Sequence, residues 1–512
     1  MTEPSSRRSA IAAGAAALAA LAVPRSAEGQ RRRGAAPAQP DTRATLSTAE
    51  LFHPRRAPAA VAATESWSRP ALRLARRITF GLTPAEAQRA LKLGYKGFLE
   101  YQLNTAALDD TAVESAVATN WPMVNQLPTQ LVQANQGTIL QQLTDATIYR
   151  QVMSPRQLHE RMVEFWNDHF TIYFNKVGYL MVADHREVIR KNALGNFGTL
   201  LKASAHSPAM LAYLDNNVNR NGSPNQNYAR EILELHSVGV DGGYTQNDVA
   251  ELSRCLTGWT LNAQGAFVFN AALHDFNAKT VLGVTIPQRA TNSGQGQTDM
   301  EQMLDVLIAH PSTATFIATK LLKFFVRPDP TAEQVAAVAS AYTQTGGDIK
   351  AMLRVVFTQS WLVAAPARYK RPYHLMISAL RGSGALIPAA SLSTMRGMLS
   401  QMGHVMFDWE TPDGYPDRVE YWSGNVLPRW NSMSTIANSA SGQIIVSDAV
   451  YTRFGSTAAA ICDTIDAMAF GGEMHATLRG ELTTYLTAGT INATRVRETL
   501  ALALSSSAFQ WY

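Results

Sequence analysis

The sequence predicts a mainly α fold, a large multi-helix globular body with few short strands. Three observations carry this. From about Trp67 onward, one amphipathic segment follows another at helical spacing. Helix-start signatures recur along the chain, whereas strand signals are few. At 512 residues the chain can bury an ample core without needing disulfides.

The elements follow in order. Ser6-Arg7-Arg8-Ser9 begins a twin-arginine pattern, and 10–23 is an uncharged run of Ala, Leu, Ile and Val with a single Gly. That run falls short of the about 20 apolar residues a membrane-spanning helix needs. With the small-residue site Ala20-Leu21-Ala22, it predicts a cleavable, twin-arginine-like export signal over 1–30. Ala10 stands where such signals usually carry a large apolar residue, so the general secretory route stays open. The expected location is exported: periplasmic, cell-surface or secreted. Later apolar runs are interrupted by charge, so no integral membrane segment is expected in the mature chain. Residues 31–65, rich in Arg, Ala, Pro and Thr without periodicity, read as a disordered linker.

Residues 66–512 read as a single α-helical domain, with a looser C-terminal part after 371. Ala71-Leu72 and Leu74-Ala75 lead into Thr83-Pro84-Ala85-Glu86, where Thr83 is the N-cap and Glu86 closes a capping box. Similar starts recur at Ser154-Pro155, His310-Pro311, Asp329-Pro330-Thr331 and Thr494. The best strand candidates are 266–270 and 280–282, and 285–298 reads as a loop from its Gly, Ser, Asn and Gln content. No repeat of solenoid period is present.

The net charge of +5 would invite nucleic acid as a partner, but six Arg against two acids lie before Gly34 and the remainder is nearly neutral. Nucleic acid is therefore excluded. Cys255 lies in an apolar helical segment and reads as a small buried hydrophobe; one long-range bridge to Cys462 is the alternative.

Four segments could carry chemistry. In 158–170, LHERMVEFWNDHF, helical spacing puts Glu160, Glu164 and Asp168 on one face beside Trp166 and Phe170. Buried, that stripe would need partners or a cation; otherwise it is a solvated face paired to Arg161 or Arg156. It is no zincin, because Val163 stands where the second His would be. In 225–259, Asn227, Glu231 and Glu234 share a helix face and Arg230 can pair with Glu234. His236 lies about 140° round from Glu231 and joins the acids only if the helix is ending, as Gly239 suggests. Thr245 then caps a further helix through Asp248. The third segment is His274-Asp275-Phe276-Asn277-Ala278-Lys279, an irregular stretch that could hold a metal ligand and its orienting carboxylate, or a plain surface loop. The fourth is Trp409 to Asp417, with Asp413, Tyr415 and the following Trp422, where acids interleave with rings as in a carbohydrate cleft.

Four features in order, RLARRITFGLTPAE, HERMVEFWNDHF, NYAREILELHSVGVDGGYTQNDVAELSRCLTGW and HDFNAKTVLG, resemble the domain-of-unknown-function 1800 family. The later P-D-G-Y-P element carries Tyr415 where that family usually has Trp. The resemblance covers nearly all the chain beyond 65. It implies an exported helical protein, often accompanied by a second exported protein of unknown function, and implies no activity.

Three functions stay open. A hydrolase acting on a glycan or similar extracytoplasmic polymer would use Glu160, Glu164, Glu231, Glu234 and Asp413 as acids and bases, with Asn227, Lys279, Tyr415 and Trp422 binding substrate. A metal-dependent enzyme or carrier would hold a divalent transition metal on His169, His236, His274 and Asp275. A non-catalytic cell-surface scaffold would use these polar groups only to satisfy one another. No G-x-S-x-G elbow and no phosphate or dinucleotide fingerprint is present.

Overall fold

Thr83 caps its helix as the spacing predicts. Its Oγ1 accepts from the Glu86 N–H at 3.2 Å while Glu86 Oε2 accepts from the Thr83 N–H at 3.1 Å. The helix so opened, α2 (Pro84–Leu103), packs against α1 (Pro70–Ile78). The computed structural model describes residues 67–385, 387–388, 392–438 and 454–512; the export signal expected over 1–30 and the linker expected over 31–65 lie outside them.

Ser154 closes a helix where the sequence suggests it opens one. α3 (Gln136–Met153) ends there, and α4 (Gln157–His169) starts after Arg156, whose backbone N–H donates to Ser154 Oγ at 3.0 Å. The reason is Pro155, which holds the preceding residue in extended backbone. α5 (Gln246–Cys255) begins with a second reciprocal box between Thr245 and Asp248. Two antiparallel hairpins follow, β1 (Trp259–Leu261) with β2 (Phe267–Phe269) and β3 (Lys279–Val281) with β4 (Val284–Ile286). The segments 266–270 and 280–282 coincide with β2 and β3 to within a residue. β1 and β4 give no such signal, and the stretch 285–298 begins inside β4, because three residues carry too little alternation to read.

His310 and Thr331 cap α6 (Pro311–Phe325) and α7 (Ala332–Thr345), which pack together. α8 (Pro372–Gly382) is buried along its whole length and lies against α3. α9 (Val426–Asn438) packs on α10 (Ala493–Ser505), which is capped by Asn492 rather than Thr494. The C-terminus is tied back into the body. Arg368 and Tyr512 exchange backbone hydrogen bonds of 2.8 and 2.9 Å, and Arg161 Nη2 donates to Tyr512 Oη at 3.1 Å. All described residues fall within one compact unit, Ala59–Tyr512.

The chain is mainly α, with two two-stranded sheets among the described residues. Trp166, fully buried, sits in the core and donates its Nε1 to Ala193 O at 3.0 Å. Cys255 and Cys462 are buried free thiols. No helix among the described residues is long and apolar enough to cross a membrane. Of the three π-helical segments among the described residues, two, Asp184–Arg190 and Ile232–His236, set side chains that matter below.

Candidate active site

Glu160, Glu164 and Asp168 leave one side of α4, as their spacing requires, and each meets a different arginine. Glu160 is fully buried and receives both terminal nitrogens of Arg190, at 2.8 and 2.6 Å. Burial opposes its ionisation, yet Arg190 holds it well below the usual carboxylate range. Glu164 pairs with Arg161 of the same helix, and Asp168 pairs with Arg371, the residue that precedes α8. Burial raises both carboxyls despite these partners. The stripe is thus paired throughout, with Glu160 and Glu164 buried and Asp168 half-buried.

Glu164 and Asp168 then divide from Glu160 by what lies beside them. Both line a cavity of about 70 Å³. The π segment Asp184–Arg190 also lines it, with Asp184 and His185. Asp184 accepts from Ser207 Oγ at 2.5 Å, and among the described residues it has no ion pair. Burial therefore pushes its carboxyl up to about 7. His185 reaches Asn167 Oδ1 at 3.3 Å and Thr147 Oγ1 at 3.5 Å, and burial holds it well below its ordinary value. Tyr373 of α8, with His404, Trp409 and Tyr415 from the segment after it, completes the lining.

Several lining atoms have no hydrogen-bond partner among the described residues: Gln151 Oε1, Tyr373 Oη and His404 Nδ1. Buried polar atoms are nearly always satisfied, so orphans that line a cavity are atoms that water or a ligand within it can meet. The backbone is also strained at its rim. Phe407 adopts φ +62°, unusual for a bulky residue, and sets its ring 5.3 Å from His185, edge to face. Gly414 adopts φ +78°, and a Cβ there would run into the Asp168 carbonyl oxygen. Only glycine lets the 409–417 segment sit on the end of α4.

That segment supplies the rings expected of it. Trp409 and Tyr415 lie 4.7 Å apart, and Tyr415 Oη donates to Val405 O. Trp422 is buried, stacks on His404 at 4.9 Å and donates to Pro416 O at 2.7 Å, so it backs the cavity rather than lining it. Asp413 is exposed and accepts from Trp409 Nε1 at 3.2 Å and Thr411 Oγ1 at 2.6 Å, which fixes the turn.

The remaining candidates lie elsewhere. Glu231 is buried beyond the cavity lining, where its charge acts on Tyr213 and Tyr244. Glu234 is half-buried and stands 3.7 Å from Arg230. Asn227 donates to Leu214 O at 3.2 Å, bracing its helix start. Lys279, His274 and Arg289 all converge on the fully buried Asp299, with Lys279 Nζ at 2.7 Å and His274 Nε2 at 3.2 Å. These contacts outweigh burial and hold Asp299 down at about 2. Asp275 pairs with Arg254 at 2.8 Å. This is a polar lock under the second hairpin.

The metal-ligand set does not assemble. The second π segment turns His236 inward to complete burial, and its ring centroid lies 6.2 Å from that of His169. Burial pushes His236 down to about 3. His274 and Asp275 are committed to Asp299 and Arg254. Among the described residues, no group of three or more His, Cys, Asp or Glu is placed to hold a metal ion.

Residues 73–511 match the model of a family described as a protein of unknown function, DUF1800. The chain belongs to the DUF1800 family. No curated protein and no solved structure matches it. In this DUF1800 chain the sequence points to Glu164, Asp168 and Tyr415 of the cavity, and misses Asp184, His185, Arg371, Tyr373 and His404. The run Asp184-His185-Arg186-Glu187 was a usable signal, since four consecutive charged or titratable side chains stand there in an otherwise apolar stretch.

Proposed function

We propose that this DUF1800 protein is an exported hydrolase acting on a glycan or similar extracytoplasmic polymer, with its chemistry at the Glu164–Asp168–Asp184 cavity. The observation that carries the reading is the contrast between these carboxyls. Asp184, without a guanidinium partner, keeps its proton to about pH 7, whereas Asp168 is clasped by Arg371. Burial raises all three carboxyls, but arginines offset it at Glu164 and Asp168 and none does at Asp184, so a group that holds its proton stands beside two that are favoured as carboxylates, the pairing that general acid and base chemistry uses.

In this reading Asp184 donates its proton to the leaving-group oxygen. Asp168 or Glu164, lining the same cavity, acts on a water molecule or on the sugar carbon. Trp409 and Tyr415 offer ring faces at the rim for sugar stacking. The cavity is too small to enclose a polymer, so it would take the scissile linkage of one unit while the rest of the chain lies outside.

The test is release of reducing ends from a panel of neutral and acidic polysaccharides by wild type, Asp184→Asn and Glu164→Gln. Wild type should act on at least one polymer, and Asp184→Asn should lose about 10²–10⁴-fold in rate, as expected for a general acid. Full activity in Asp184→Asn, or no product from any polymer with folded wild type, would reject the proposal.

A further inference from the structure

A second and larger cavity, of about 320 Å³, shares one wall with the acid cavity: His185 lines both. Its chemistry is opposite. Arg150, Arg186, Arg190 and Lys191 line it, with Glu114 as the lining carboxylate. So many cations around one space is costly unless anions meet them, and how each charge is met decides what the space can do.

Arg190 is spoken for, because Glu160 takes both of its terminal nitrogens. Arg150 gives Nε and Nη2 to Glu114, at 2.8 and 2.6 Å. That carboxylate is half-exposed, with 44% of its side chain open to solvent. Arg186 is held differently. Its Nη1 donates to two backbone carbonyls, Val124 O at 2.7 Å and Gln126 O at 3.1 Å, which fix the guanidinium without neutralising it. Its Nε meets Glu187, which is 53% exposed, at 2.8 Å. Lys191 stands 3.7 Å from the same Glu187 and is 70% exposed, a contact worth little. Among the described residues, no acceptor meets Arg150 Nη1 or Arg186 Nη2.

We propose that this cavity is an anion-binding site for a carboxylate or phosphate group, received by Arg186, Lys191 and the free edge of Arg150. The clamp on Arg186 supplies preorganisation, since the donor fork is oriented before any ligand arrives. Glu114 holds the other edge of Arg150, through Nε and Nη2, and so competes for its charge with a ligand at the free one. The volume suits a small molecule or one acidic unit of a larger one. The proposal concerns binding alone and does not depend on the hydrolase reading.

Isothermal titration calorimetry on the full chain tests it, with inorganic phosphate, glucuronate and, as the neutral control, glucose. Either anion should bind and glucose should not. Tighter phosphate binding would identify a free oxyanion as the ligand, and tighter glucuronate binding a sugar acid. Arg186→Gln and Lys191→Gln should each weaken the bound anion about tenfold, or about 1.4 kcal/mol. Lys191 is exposed enough that its variant folds whatever becomes of Arg186→Gln. Glu114→Gln, which removes the competing carboxylate, should tighten binding. Failure of both anions to bind, equal binding of glucose, or affinity unchanged in both the Arg186 and Lys191 variants would overturn the proposal.

Discussion

Replacing Asp184 with Asn should make the protein more stable, and only above mildly acidic pH. In the folded state burial pushes this carboxyl up to about 7, and among the described residues Ser207 Oγ supplies its one hydrogen bond. In the unfolded chain it titrates at about 3.9. A folded state that holds its proton more tightly loses stability as pH rises between those two values. The loss begins near pH 4 and is complete above about 7. Three powers of ten in proton affinity correspond to about 4 kcal/mol. Asn copies the shape of the protonated acid and cannot ionise, so it escapes that penalty. At pH 4.5 the variant should match wild type within about 1 kcal/mol, the worth of a changed hydrogen bond. At pH 8 it should be more stable by up to about 4 kcal/mol. The assay is chemical denaturation of both proteins across pH 4.5–8.5. Taking the difference between them cancels the other titrating groups that the substitution leaves alone. A difference that stays flat with pH would refute the reasoning, because Asp184 would then be ionised at the same pH whether folded or not.

Other substitutions separate framework from site. Glu160→Gln should cost about 3–5 kcal/mol, because it leaves Arg190 buried without its carboxylate; a thermal midpoint equal to wild type at pH 7 would contradict this. The same carboxyl is held below its ordinary range, so its contribution is present above about pH 4.3 and fades as pH falls further, which urea titrations at pH 3–5 would detect. Gly414→Ala should cost about 1–3 kcal/mol, since it combines a left-handed φ with a collision against the Asp168 carbonyl; unchanged denaturation would show that the turn can move away. Lys279→Met should destabilise the second hairpin by about 3 kcal/mol through Asp299 and expose it to limited proteolysis, leaving intact phosphate binding at the cationic cavity, whose lining shares no residue with that cluster.

Much of the fold was legible because the chain announces its helices locally. Thr83-x-x-Glu86 and Thr245-x-x-Asp248 are capping boxes in the sequence and in space. The failures have local causes too. Ser154 resembles a start because it precedes Pro, and the same Pro makes it a stop. At the site, the spacing of Glu160, Glu164 and Asp168 correctly gave one helix face, but not which acid faces a cavity. That division depends on Arg190 and Arg371, which lie 30 and 203 residues from their partners. No window of helical length contains such pairs.

The π segments explain the rest. A helix read at 3.6 residues per turn places each side chain by counting, and an inserted wider turn shifts every later position. Asp184 opens such a segment, so the stretch 184–190 contributes Asp184 and His185 to the acid cavity and Arg186 and Arg190 to the cationic one. A regular helix spreads four near-consecutive residues around its circumference, and here that segment lines both cavities, with His185 in each. Wider turns of this kind give up regular hydrogen bonding, and they occur frequently where function sets the geometry. Strain at Phe407, orphaned polar atoms on Tyr373 and His404, and an uncompensated acid at Asp184 all fall on the same cavity. Each lowers stability by itself. Their coincidence is what separates this cavity from the Asp299 lock, where the buried carboxylate is met by His274, Lys279 and Arg289.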